Sequence, residues 1–227
     1  MLRRTTRRRA RGRATMMGLV LFSALAAVLA PASPALADPP GGGLPGTVFI
    51  GRSWYAQENG NFCAPASVQM ALQSRLGSTP HSQTTYANHM GTDGNGTDSA
   101  QEVATELNNS GNTRWYEFKT IDWNPTQAQR NLFKYDVMFD IDRGYPMVVN
   151  LWIPAGYTGA PPNYPNQNRT IFHYVTVVGY ANNGDTVYVY DPAAEGAGGQ
   201  GWGNVPRQWT MSTYDLETLI GGKGYAA

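Results

Sequence analysis

The sequence contains a single cysteine, Cys63, at the start of a segment that is predicted to be helical. A helix N-terminus carries a partial positive charge that favours the thiolate, which is the nucleophilic form of cysteine. One cysteine cannot form an internal disulfide, so cross-linking does not explain its presence. The position therefore favours a nucleophile, and burial as a small apolar side chain is the structural alternative.

A thiolate is stabilised further by a neighbouring imidazolium, so we looked for a histidine that could partner Cys63. Of the three histidines, His173 lies in a strand-like run at 172–179. His81 and His89 lie in polar, turn-rich surroundings that are typical of solvated surface histidines. We therefore predict that His173 is the general base and then the general acid.

An aspartate is predicted to lie beside this histidine. The run that contains His173 and the run at 186–190 are predicted to form a hairpin through a five-residue loop at 180–184. That register places Asp191 directly opposite His173. A carboxylate there would accept the second imidazole N–H, fix the tautomer and stabilise the charged ring. An ordinary strand histidine with an aspartate at the hairpin end is the alternative.

A side-chain amide precedes the cysteine. Gln57 stands six residues before Cys63. Acyl transfer requires donors aimed at the developing oxyanion, and an amide together with the backbone N–H of the nucleophile can supply them. Gln57 is thus the predicted oxyanion donor.

These motifs together resemble the papain-like cysteine peptidases. The resemblance is strongest to the bacteriocin-processing, double-glycine type of peptidase and its secreted relatives. It rests on Gln57, on the group Cys63, Pro65, Ala66 and Ser67, on the run from His173 to Tyr180, and on Asp191 followed by Pro192. The resemblance implies the same roles for Gln57, Cys63, His173 and Asp191 and covers nearly the whole chain after about Tyr55.

The predicted elements indicate an α+β fold, with a helical first half packed on an antiparallel sheet. Four helices are expected, at 64–76, at 100–108, after Pro125 to about Arg143, and between Ser212 and Gly221. Strands are expected at 113–121, 147–153, 172–179 and 186–190. The nucleophile would then lie at the N-terminus of the first helix. The loop at 154–170, which contains four prolines, is a candidate lid beside His173.

The N-terminus has the pattern of a secretory signal peptide. Seven arginines between Arg3 and Arg13 precede an uncharged apolar run at 16–30, and the small-x-small site Ala35-Leu36-Ala37 follows. We predict a signal peptide at 1–37, a flexible Pro/Gly-rich leader at 38–46 and a single peptidase domain at 47–227. An uncleaved N-terminal membrane helix is the alternative, although the apolar run is short for a span of roughly 20 residues.

Cleavage after Ala37 would change the charge of the chain. The formal net charge falls from +1 to −6 because seven basic side chains leave with the predicted signal peptide. An acidic product without a long basic patch is a poor candidate for nucleic-acid binding. We expect an extracellular monomer without stable membrane association, whose partner is a peptide or protein substrate.

No cofactor or metal ion is expected. The segment 93–98 superficially resembles a calcium loop, but it lacks glycine and glutamate at the positions that an EF-hand requires. The aromatic residues fall mostly in strand-like runs, where they pack the core more often than they bind carbohydrate.

The expected function is therefore that of a secreted cysteine peptidase, a hydrolase that cleaves peptide bonds through a thioester acyl-enzyme. Two alternatives stay open. The same site could act as an amidase or acyltransferase on cell-wall peptides, since the acceptor depends on pocket shape. The fold could also serve as a catalytically silent peptide-binding module, although such a module has no need for these four residues.

Overall fold

The computed structural model describes residues 44–165, 168–199 and 201–227. The predicted signal peptide and residues 38–43 of the predicted leader lie outside the described residues. Within the described part of the chain, no helix has the length and apolar character needed to cross a membrane.

Five helices are present among the described residues. They are α1 (Cys63–Leu76), α2 (Gln83–His89), α3 (Ala100–Gly111), α4 (Gln127–Asp142) and α5 (Thr213–Leu219). Four of them confirm the sequence-based expectation, and α2 was not predicted. A short helical turn at Ala194–Gly199 contains several residues with positive φ.

Seven strands of the described residues form one antiparallel sheet. They are β1 (Val48–Phe49), β2 (Phe118–Lys119), β3 (Met147–Ile153), β4 (Ile171–Ala181), β5 (Thr186–Tyr190), β6 (Gln208–Ser212) and β7 (Tyr225–Ala226). The order across the sheet is β2-β7-β3-β4-β5-β6, and β1 pairs with β4. The α+β prediction is confirmed, whereas the long strand expected at 113–121 is reduced to β2.

The helix ends follow local sequence signals. Helix α1 stops at Gly77, which adopts the left-handed conformation and donates its N–H to the carbonyl of Gln73. Thr126, which precedes α4, forms a capping box with Gln129, in which the two residues exchange side-chain-to-backbone hydrogen bonds. Ser212 caps α5 by accepting from the N–H of Asp215.

Helices cover both faces of the sheet. On one face, α1 to α3 pack against Val148, Tyr174 and Ala226. On the other face, α4 and α5 pack against the alternate residues of β3 and β4, among them Val149 and Val175. Strand β3 is therefore buried at every position except the half-buried Trp152. The catalytic candidates of α1 and β4 are held between two packed layers.

The hairpin formed by β4 and β5 differs from its predicted register. Its loop is the four-residue segment 182–185, in which Asn182, Asn183 and Gly184 all have positive φ. This turn is centred later in the chain than the predicted loop at 180–184. Ala181 therefore pairs with Thr186 and Val177 pairs with Val189, and the register shifts between Val177 and Gly179. The prediction that Asp191 is the direct cross-strand neighbour of His173 is therefore wrong, since Asp191 follows the end of β5 at a different register position.

Candidate active site

Cys63 is the first residue of α1 and is half-buried. Phe62, the residue that precedes the helix, contributes no side-chain cap among the described residues. Ten of the 14 residues of α1 are buried, and Thr176 of β4 donates its hydroxyl to the carbonyl of Ser67 at 3.0 Å. The sulfur is thus presented at the end of a helix that is fixed to the central strand.

His173 lies on β4 and is buried, with 3% of its surface exposed. Its side chain is coupled to the thiol of Cys63 and forms a hydrogen bond with Asp191. The bond to Asp191 runs from Nε2 to Oδ1 at 2.9 Å. Nδ1 is consequently the ring nitrogen left for the sulfur.

Asp191 is fully buried and its carboxylate is surrounded by donors. Oδ1 accepts from His173 and from the backbone N–H of Ala193 at 3.0 Å. Oδ2 accepts from the indole N–H of Trp209 at 3.0 Å and from the hydroxyl of Tyr164. The structure therefore brings three of the predicted site residues together, with His173 coupled to Cys63 and bonded to Asp191.

The electrostatics of this series favour charge separation. Burial by itself raises the pKa of Cys63, but the hydrogen bond and charge of His173 and the backbone N–H groups of Tyr174 and Ala64 hold it below the usual thiol value. Burial lowers the pKa of His173, yet the charge and hydrogen bond of Asp191 outweigh that effect and raise it to about 10. The arrangement can hold a thiolate beside an imidazolium.

Gln57, the fourth predicted residue, is buried in the segment before α1. Its backbone N–H donates to the carbonyl of Pro192 at 2.8 Å, which places it alongside the residue that follows Asp191. Gly198 lies directly against its amide, since a Cβ at Gly198 would stand 2.6 Å from Nε2. The side-chain Oε1 is buried without a hydrogen-bond partner among the described residues.

The unpredicted helix α2 fixes the backbone around Gln57. Its first residue, Gln83, accepts from the N–H of Glu58 at 2.9 Å and donates to the carbonyl of Ala56 at 2.7 Å. The same amide donates to Gln69 of α1 at 2.9 Å. One buried glutamine thus ties both neighbours of Gln57 to the helix that begins with Cys63.

A cleft of about 220 Å³ opens beside the sulfur. The turn at 93–98 forms one wall of the cleft, and the sheet forms the other. The lining residues are Cys63, Asn95, Gly96, Thr97, Asp98, Asn150, Phe172, Tyr174 and Lys223. A ligand in this cleft would lie in contact with the sulfur.

Comparison with known families agrees with this geometry. The model of the Peptidase_C39 like family matches residues 49–215. The chain belongs to the Peptidase_C39 like family. The match confirms the resemblance inferred from the motifs. It also confirms the prediction of a cysteine-type peptidase.

Solved structures show the fold of this Peptidase_C39 like protein. Xylellain, a cysteine protease from Xylella fastidiosa, is 14% identical with a TM-score of 0.51, over 81% of this chain and 86% of that chain. The peptidase domain of Streptococcus ComA, a bifunctional ABC transporter, is 19% identical with a TM-score of 0.42. The match covers 76% of this chain and 93% of that chain. A search of curated proteins found no match. The xylellain match confirms a papain-like fold.

The other two histidines of this Peptidase_C39 like chain lie elsewhere. His89 is paired with Glu106 of α3 at 3.1 Å, and the His81 ring packs edge-on against that of His89. Within the described ranges, no group of three His, Cys, Asp or Glu residues is arranged to hold a metal ion.

Sequence reasoning missed the aromatic surroundings of His173. The Trp202 ring lies 4.8 Å from the imidazole, centroid to centroid, and Tyr164 packs against both rings. Trp54 donates its indole N–H to the carbonyl of Asp191 at 2.7 Å. Tyr164 lies in the connection predicted as a candidate lid and Trp202 lies in a Gly-rich segment, yet both side chains are buried. Large aromatic residues inside Gly- and Pro-rich segments were the available signal.

Proposed function

We propose that the chain hydrolyses peptide bonds with Cys63 as nucleophile, His173 as acid and base, and Asp191 as the orienting carboxylate. The observation that carries the proposal is the position of the His173 imidazole, which is coupled to the half-buried thiol of Cys63 and bonded to the buried carboxylate of Asp191. A binding module without catalysis has no use for an imidazole whose pKa is raised to about 10 beside a thiol whose pKa is lowered.

The reaction follows from these charges. The Cys63 thiolate attacks the scissile carbonyl carbon, and the oxygen gains negative charge. The C–N bond then breaks as the His173 imidazolium gives its proton to the leaving amine, which leaves a thioester on Cys63. Water next loses a proton to His173 and attacks the thioester carbonyl. The C–S bond breaks, which releases the acid and restores the thiolate and imidazolium.

Gln57 is proposed to stabilise the oxyanion together with the backbone N–H of Cys63. Gly198 packs against its amide, and the bonds of Gln83 to Ala56 and Glu58 fix the backbone on either side of Gln57. A donor fixed before the substrate binds costs no reorganisation when charge develops on the oxygen.

The test of the class is cleavage that depends on Cys63. The chain without its predicted signal peptide would be incubated with a diverse peptide library and with a peptide-like covalent thiol probe. We expect cleavage and labelling in the native protein and neither in Cys63→Ala, as followed by mass spectrometry. Cleavage that persists in Cys63→Ala would refute the proposal, and labelling without cleavage of any peptide would favour the binding module.

The oxyanion role predicts a loss in turnover. Gln57→Ala should lower kcat by on the order of a hundredfold, the usual effect of removing one oxyanion donor. KM should change little, because the donor acts on charge that develops in the transition state. Gln127→Ala, which removes an exposed glutamine of α4, is the matched control. An effect confined to KM would make Gln57 a substrate-binding residue instead.

The pKa shifts predict the pH dependence of thiol reactivity. Because His173 holds the pKa of Cys63 below the usual thiol value, iodoacetamide should modify Cys63 rapidly even in mildly acidic solution. His173→Ala leaves the burial that raises the pKa and removes the charge that lowers it, so its alkylation curve should move to higher pH. Peptidase activity should fall again near pH 10 as the imidazolium loses its proton.

The alkylation curves are compared between pH 4 and 10, with His81→Ala as the control because His81 is exposed and lies elsewhere. Coincident curves for the native protein and His173→Ala would contradict the proposed ion pair.

We also propose that the peptidase is exported. The arginine-rich start, the apolar run and Ala35-Leu36-Ala37 support this. Expression of the full chain in a secreting host should yield an extracellular protein whose N-terminal sequence begins at Asp38. Retention in the membrane fraction with an intact N-terminus would argue for the anchor instead.

A further inference from the structure

Tyr164 is a buried residue in a largely exposed connection. The connection 154–170 links β3 to β4, and most of its described residues are at least partly exposed. Tyr164 has 7% of its surface exposed and directs its hydroxyl to Oδ2 of Asp191. A tyrosine that crosses from a surface connection to the buried carboxylate of the site requires an explanation beyond core packing.

The hydroxyl fills one of the four acceptor positions of Asp191. His173 and the N–H of Ala193 occupy Oδ1, and Trp209 shares Oδ2 with Tyr164. Without the tyrosine hydroxyl, Oδ2 would keep Trp209 as its one donor among the described residues. A buried carboxylate that loses a donor becomes easier to protonate and freer to rotate.

The ring of Tyr164 is held in place from several directions. It packs against Trp202 at 4.8 Å and lies edge-on to Trp209 at 6.3 Å, centroid to centroid. The preceding residue, Asn163, donates its side-chain amide to the carbonyl of Asn204 at 2.9 Å. Two connections, 154–170 and the one that contains Trp202, therefore meet over the His173–Asp191 pair. The hydroxyl is positioned before any substrate arrives.

We propose that Tyr164 is a positioning residue of this active site, whose hydroxyl fixes Asp191 in the orientation and charge state that keep His173 aligned with Cys63. The inference rests on the proposed function, in which these three residues perform the chemistry. In this role Tyr164 acts through Asp191 and forms or breaks no bond to the substrate.

The charged and titratable neighbours agree with a donor role. The pKa of Asp191 is influenced by His173 of β4 and by Tyr164. The pKa of Tyr164 is influenced in turn by Asp191 and Cys63. Burial and then the charge of Asp191 raise the pKa of Tyr164, so the phenol stays protonated and donates at any pH at which the enzyme would work. In Asp191, burial raises the pKa, but His173 and the donors, Tyr164 among them, hold it below the usual value.

Tyr164→Phe removes the hydroxyl and keeps the ring. Because Asp191 would then take up a proton at higher pH, the thiolate–imidazolium pair should be lost at higher pH as well. We expect the acid limb of the Cys63 alkylation profile to move to higher pH. We also expect kcat to fall roughly tenfold with KM unchanged, which is the usual effect of losing a hydrogen bond to a charged group. Tyr214→Phe, at an exposed tyrosine beside Arg130, should change neither.

A double-mutant cycle separates positioning from packing. In an Asp191→Asn background the carboxylate charge is already absent, so adding Tyr164→Phe should change kcat and the alkylation profile little further. An equal loss in both backgrounds would overturn the proposal and make Tyr164 structural. A lowered Tm with an unchanged alkylation profile would overturn it too.

If Tyr164→Phe does not fold, 3-fluorotyrosine placed at position 164 tests the proposal in the opposite direction. The more acidic phenol is a stronger donor, so the acid limb should move to lower pH, and an unmoved limb would overturn the proposal. Alkylation requires no substrate. A protein that cleaves no peptide would therefore refute the proposed function, while the alkylation profiles would still decide the role of Tyr164.

Discussion

The buried negative charge of Asp191 is the constraint on which the site depends. An ionised carboxylate withdrawn from water costs several kcal/mol unless it is paired and its lone pairs are filled by donors. The donors come from separate parts of the chain, with His173 on β4, Tyr164 in the β3–β4 connection and Trp209 on β6, while Ala193 adds a backbone N–H. Each of these segments must be in its native place before the charge can be tolerated. The contacts that align the imidazole are therefore the same contacts that hold this end of the sheet together.

Asp191 in turn permits the charge on Cys63. A half-buried thiol would ordinarily stay protonated, and the imidazolium that reverses this preference is itself buried and needs Asp191 as its counter-ion. The helical layer supplies the sulfur, and the sheet supplies the imidazole and the carboxylate. Their alignment depends on how closely α1 is fixed to β4, which the bond between Thr176 and Ser67 illustrates. Reactivity is thus a property of the contact between the two layers, because neither layer alone holds both charges.

The parts of this fold that could be predicted are those encoded locally. Strands β3 and β5 match their predicted bounds, and α1 ends at Leu76, the predicted last residue. Helix α2 was missed because its seven residues are mostly polar and lack an apolar period, although its Gln83 is buried and bonded on three sides. Tyr164 and Trp202 were missed for a different reason. Their partners are remote in sequence, and a Pro- or Gly-rich segment contains no local pattern that reveals which of its side chains turns inward.

The hairpin explains how His173 and Asp191 form a hydrogen bond although their predicted register is wrong. Continuing the pairing of Thr176 with Tyr190 by one position places Asp191 beside Val175, two residues along β4 from His173 and on the same face. The Cα atoms of such diagonal neighbours are separated by about 7 Å, so the outer nitrogen of the imidazole is the better placed to reach the carboxylate. Nε2 is that nitrogen, and it is the one bonded to Oδ1 of Asp191. The diagonal placement therefore directs the ring along the sheet toward the carboxylate and leaves Nδ1, the nitrogen nearer the backbone, for the sulfur at the end of α1.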